Sequence, residues 1–215
     1  MRIATATLAS LLLAVSSYAQ PPERKVDGTR VTSRSPAIRI TVPKEATYVG
    51  ADRWPLYDVA DCEVHVFVEA DATKRVQRLY WIQFEAYLPS KPDSTYNYDR
   101  DQVTTMNGLE VRHRERFGPS NEKPRAGSDG ERVMRMVASA GYTLPPDTVN
   151  SRLVHLPDAS RRSEVMVIYI EDMAPLGKTS SDFLVDGKVS DAWAPVGRGV
   201  LARATSRISF ERVSP

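Results

Sequence analysis

Cysteine is nearly absent from this chain of 215 residues. Cys62 stands alone, so no intrachain disulfide can form. It falls on the apolar side of a predicted strand, where a cysteine behaves as a small hydrophobe. No Asn-X-Ser/Thr acceptor occurs. Neither sign of charge prevails: 29 basic residues stand against 27 acidic ones, interspersed, for a net charge of +2. That balance leaves no basic footprint for nucleic acid, and no basic amphipathic helix suits a membrane surface. Beyond the first twenty residues nothing is apolar enough to span a bilayer. The catalytic signatures G-x-S-x-G, H-E-x-x-H, the phosphate loop and the dinucleotide fingerprint are all missing.

What is present begins with MRIATATLASLLLAVSSYAQ. Arg2 forms a short positive region, Ile3–Val15 is apolar or small, and Ser17-Tyr18-Ala19 supplies the small residues that signal peptidase reads. We expect a secretory signal over residues 1–19, cut after Ala19, and a periplasmic or secreted mature protein of bacterial type. With no cysteine at the cut, lipoprotein anchoring is excluded. Residues 20–36 carry Pro21, Pro22 and scattered charges without periodicity and read as a flexible leader. Residues 37–215 then suffice for a single α+β domain with its own core.

The clearest pattern runs from Asp61 to Leu88. Cys62, Val64, Val66, Val68 and Ala70 alternate with Glu63, His65, Phe67 and Glu69, as in a half-buried strand. A second alternating run follows the turn Asp71-Ala72-Thr73-Lys74. An even register, Val66 opposite Tyr80 and His65 opposite Trp81, keeps one face apolar and makes the other polar and aromatic. That mixed face, with His65, Trp81, Gln83, Glu85 and Tyr87, is the expected ligand-binding surface, since pockets combine aromatic area with a few placed polar groups.

Around this hairpin we expect a strand at Ile38–Val42 and an irregular or edge strand over Thr47–Asp58. After Leu88 comes a loop with Tyr96 and Tyr98, either a plain surface loop or a cover for the mixed face. Leu109–Arg116 is predicted as an exposed edge strand whose Arg112, Arg114 and Arg116 discourage pairing. Ser128-Asp129-Gly130-Glu131 is a capping box that opens a helix ended by Gly141. A second hairpin spans Arg152–Asp172, with VMVIYI apolar on both faces as in a central strand. Its DASRR turn closely repeats the first hairpin's DATKR, which either convergent turn chemistry or an internal duplication explains. Trp193 starts a closing amphipathic helix to about Phe210, weakened by Gly197 and Gly199. The expected fold is a curved antiparallel sheet built from hairpins, with a middle helix and a C-terminal helix on one face.

His65, His113 and His155 fall on separate strands without ligand spacing, so no metal or other cofactor is expected. The leading expectation is a non-enzymatic exported domain that takes a small amphipathic ligand. Two alternatives stand beside it: a simple acid–base hydrolase or isomerase using His65 with a nearby carboxylate, and an envelope component that meets a protein partner.

Overall fold

The computed structural model describes residues 21–120 and 123–214, so the expected signal segment lies outside the described residues. In chain order the strands are β1 (Lys25–Asp27), β2 (Arg30–Arg34), β3 (Ala37–Thr41), β4 (Thr47–Leu56), β5 (Ala60–Ala70), β6 (Val76–Tyr87), β7 (Gln102–Met106) and β8 (Leu109–Pro119). Helix α1 (Asp129–Ser139) precedes β9 (Asp147–His155), β10 (Ser163–Asp172), β11 (Leu184–Val185) and β12 (Lys188–Val189). Helix α2 (Trp193–Arg207) and β13 (Ser209–Arg212) complete the chain. Seven strands form one antiparallel sheet in the order β4-β5-β6-β10-β9-β8-β7, and a smaller sheet runs β1-β2-β3-β13. This is the α+β class expected of the sequence, and β10, with its doubly apolar VMVIYI, is the middle strand.

The central hairpin forms, but its register is odd. Val66 pairs with Trp81, His65 with Ile82 and Cys62 with Glu85. At the turn Ala70 faces Val76, which is the expected even register; beyond it Glu69 faces Arg78, so Gln77 is an extra residue in β6. Such a bulge moves every later side chain of its strand to the other face. Sidedness did not forbid the shift because both faces are covered. Cys62, Val64, Val66 and Val68 join Leu79, Trp81 and the α1 residues Val133 and Val137 in one cluster. Phe67 joins Tyr80, Ile82, Phe84, β10, the small sheet and α2 in the other. The two helices therefore take opposite faces of the sheet, rather than sharing one.

Helix α1 starts where its capping residues predict. Ser128 accepts from the amide of Glu131 at 3.1 Å, while Glu131 reaches back to the amide of Gly127 at 2.7 Å. Gly141, at φ +80°, follows the cap residue Ala140 and turns the chain away. Arg132 fixes the helix to β4 by a 2.7 Å bond to Asp52 and by lying 4.5 Å from the Trp54 ring.

Three expectations change. The segment expected as a leader forms β1 and β2, with Val31 wholly buried, because its short apolar alternation is completed by β3. Strand β8 is flanked by β7 as well as β9 from Leu109 to His113, so it is not an edge there, and only its second half, with Arg114 and Arg116, has no strand on that side among the described residues. Helix α2 stops at Arg207, and Phe210 lies in β13, buried against the core and paired opposite Ile40. Gly199, in α2, needs no special backbone angle. A methyl there would meet only Nη1 of Arg203, at 3.2 Å, the one guanidinium nitrogen that Glu171 does not hold. Gly199→Ala is expected to stabilise the protein by about 0.5–1 kcal/mol; an unchanged or lower urea midpoint would contradict this.

Candidate functional site

Four of the five residues expected to meet a ligand converge on the α1 side of the sheet. The Trp81 indole donates to Gln83 Oε1 at 2.8 Å, and the Gln83 amide donates to Glu85 Oε2 at 2.6 Å. Tyr87 stacks on Tyr96 with ring centres 4.4 Å apart. The loop after β6 folds back over this row: Tyr96 donates to Glu85 Oε1 at 2.8 Å and Tyr98 to Glu164 Oε2 at 2.6 Å. Glu85 and Glu164 are cross-strand partners directly opposite one another. Burial pushes the Glu164 carboxyl up to about 8, against the hydrogen bond from Tyr98, with Glu85 adding repulsion. Glu85 is raised by burial as well. Cys62, opposite Glu85, has its thiol pushed up by burial and then by that carboxylate, which keeps it inert. Trp81 is buried beneath α1 and lines none of the five principal clefts of the described chain.

His65 parts company with the other four because of the odd register. It lies on the opposite face, fully buried, and its two ring nitrogens are both engaged: Nε2 with Glu63 Oε1 at 2.8 Å and Nδ1 with the Tyr48 hydroxyl at 3.2 Å. Glu63 also accepts from the amides of Glu23 (2.8 Å) and Arg24 (2.9 Å) and from the Arg24 guanidinium (3.0 Å). Burial alone would raise its carboxyl. The bonds from His65 and from the two amides, with the charge of Arg24, outweigh burial and hold it at about 2. Glu63 thus fastens the chain just before β1 to the large sheet. His113 pairs with Glu115 at 3.1 Å, and His155 with the carbonyl of Glu110 at 2.9 Å. The three histidines serve three separate contacts.

A separate opening lies between the first turns of α2 and strands β7 and β8. It encloses about 510 Å³ and combines Trp193, Leu201 and Gly197 with Arg100, Arg114 and Arg198. Trp193 is held by Phe117 at 4.8 Å and Phe183 at 5.4 Å between ring centres, so one edge is fixed while another faces the cleft. Gly197 lets the helix approach β8, whose Glu115 Cβ would lie 3.6 Å from an added methyl. The acids here are already engaged. Glu115 takes His113 and the Ser151 hydroxyl, and Asp101 bridges Arg114 (2.5 Å) and Arg152 (2.6 Å). Arg100 and Arg198 have no acid partner among the described residues. Arg100 and Arg198 are exposed at the rim of the opening, and guanidinium groups beside an indole can receive an anion that carries an apolar body.

Sequence reasoning marked Arg114 as part of a charged row and Trp193 as a helix start, but did not join them. The available signal was Trp193 followed by Gly197 and Gly199, small residues that let a helix lie close to a strand. No family model matches this chain, and neither a curated protein nor a solved structure is similar to it. No helix of the described residues is long and apolar enough to cross a membrane.

Proposed function

We propose that the protein is an exported domain that binds a small amphipathic anion. The observation that carries this reading is the cleft beside α2, where Trp193 and Leu201 adjoin Arg100 and Arg198, two guanidinium groups without acid partners among the described residues. Export is supported by the positive, apolar and small-residue pattern of residues 1–19. The amphipathic ligand expected for the hairpin moves to a different face, because the hairpin's own aromatic row is covered by α1 and the tyrosine loop.

The acid–base reading has one observation behind it, the chain of contacts from Tyr48 through His65 to Glu63. It is the weaker reading. The imidazole is sealed from solvent with both nitrogens occupied, and burial, reinforced by Glu63, raises the Tyr48 hydroxyl, away from the ionised form a nucleophile needs.

Isothermal titration with 2-naphthoate tests the proposal. Binding is expected, with Arg198→Gln weakening it about tenfold, the equivalent of one charge-assisted hydrogen bond. Trp193→Phe is expected to weaken it while leaving the fold intact. No heat of binding, or affinities unchanged in both variants, would remove the basis for this function.

A further inference from the structure

The large sheet carries a second, separate opening on its α1 side. It encloses about 440 Å³, and its lining brings together Tyr98, Arg100, Asp101, Arg114, Arg116 and Arg152. Strand pairing places the donors. Arg114 and Arg116 are two residues apart on β8 and share a face, and Arg152 on β9 is the partner directly opposite Arg114. Arg152 pairs in turn with Ile168 of β10, and Ile168 with Trp81 of β6, which α1 covers; the three arginines therefore stand on the α1 side. Trp193 and α2 pack on the other side. Of the two openings, Arg116 and Arg152 border this one alone.

Like charges directly opposite one another destabilise a sheet. Asp101, almost wholly enclosed, offsets this for Arg114 and Arg152 by bridging them. Each arginine reaches Asp101 through Nη2, and Nη1 of each has no protein partner among the described residues. Arg152 is also braced by the Tyr98 ring, 4.9 Å away. Arg100 and Arg116, both exposed, have no acid partner among the described residues. Four guanidinium groups thus meet one carboxylate. Glu164, tied to the Tyr98 hydroxyl, keeps its proton to about pH 8 and adds no charge at neutral pH. A singly charged anion would leave most of this positive charge unanswered. A phosphate monoester carries about −1.5 to −2 at neutral pH and offers three strong acceptor oxygens, and guanidinium forks match such oxygens in pairs.

We propose that this opening binds a phosphoryl dianion, as inorganic phosphate or as the phosphate of a monoester. Arg114 and Arg152, held by Asp101, are its fixed donors, and Arg116 meets it from the exposed half of β8. The site is independent of the cleft beside α2 and lies on the opposite face of the sheet.

Titration calorimetry at neutral pH and low ionic strength tests this with methyl phosphate and methyl sulfate, which match in shape while the sulfate carries about one charge fewer. Methyl phosphate is expected to bind at least about tenfold tighter. Inorganic phosphate separates the two sources: binding at least as tight as that of methyl phosphate assigns the site to free phosphate, and weaker binding assigns it to an ester. Arg116→Gln, an exposed substitution that leaves the thermal midpoint in place, is expected to weaken methyl phosphate about tenfold and to leave 2-naphthoate unaffected. Arg198→Gln, on the other face, is expected to do the reverse. No binding of methyl phosphate, equal affinity for methyl sulfate, or indifference of methyl phosphate to Arg116→Gln would overturn this inference. None of these outcomes touches the reading of the cleft beside α2.

Discussion

Glu63→Ala is expected to destabilise the protein by about 3–5 kcal/mol, the usual cost of removing one partner from a buried ionic group. Glu63 is 1% exposed and accepts from four donors: two backbone amides, the Arg24 guanidinium and the His65 ring. The alanine variant leaves all four unanswered, at a cost of about 1–3 kcal/mol for each that water cannot reach. It also frees the strand pair β1–β2 from the large sheet at its first residue. Urea denaturation at pH 7 measures the loss, with Glu110→Ala, an exposed carboxylate, as the comparison. A loss no larger than that of the comparison would show that the network contributes little. The pH dependence has a definite sign. Because the folded carboxyl sits at about 2, below its unfolded value near 4.5, its contribution is present above pH 4.5 and is lost as pH falls toward 2.

Glu164 acts in the opposite sense on the alkaline side. Its folded carboxyl, near 8, lies above the unfolded value of 4.5. Its contribution to stability is therefore whole below pH 4.5 and declines as pH rises through 8. The groups that face it are Tyr98 from the loop, Glu85 from β6, Arg152 from β9 and Asp129 from α1, and only Arg152 favours ionisation by its charge. A displacement from 4.5 to about 8 corresponds to roughly 5 kcal/mol at most, at 1.36 kcal/mol per pH unit. Glu164→Gln keeps an oxygen for the Tyr98 hydroxyl and removes the charge. It is expected to be more stable than the parent by about 3–5 kcal/mol at pH 9 and about equal to it at pH 4.5. Melting curves from pH 2 to 9 check both groups at once. The parent should be most stable near pH 5, falling on either side, and the variant should lose the alkaline fall alone. Parallel profiles for parent and variant would contradict the assignment.

Local chemistry made much of this fold legible. The capping box at Ser128, the left-handed Gly141 and the two Asp-led turns each act over four or five residues, and all are where the sequence puts them. The turns even share detail: Asp71 accepts from the amide of Thr73 and Asp158 from that of Ser160, and Lys74 and Arg161 both take positive φ. What escaped was set at longer range. The bulge at Gln77 leaves no mark in a sheet covered on both faces, because either register buries apolar side chains, and His65 consequently left the set to which it was assigned. Strand β8 looked like an edge because β7 is short and polar. Ala204 and Ile208 keep helical spacing, which carries the expected helix on to Phe210, and only the pairing of Phe210 opposite Ile40 makes it a strand residue. The basic cleft joins residues near 100, 114 and 198, and no periodicity links segments so far apart.

The pairing of β13 with β3 also sets an order of events during synthesis. Residues 37–41 wait for residues 209–212 before their second edge is satisfied, whereas the β5–β6 and β9–β10 hairpins close within tens of residues. Contacts between such distant segments form slowly, after the chain entropy between them has been lost. The small sheet is therefore the late step of folding. Until the last strand arrives, the edge of β3 and the buried places of Ile38 and Ile40 stay open to any other extended chain, which makes this edge the point at which an incompletely made or clipped copy would begin to aggregate.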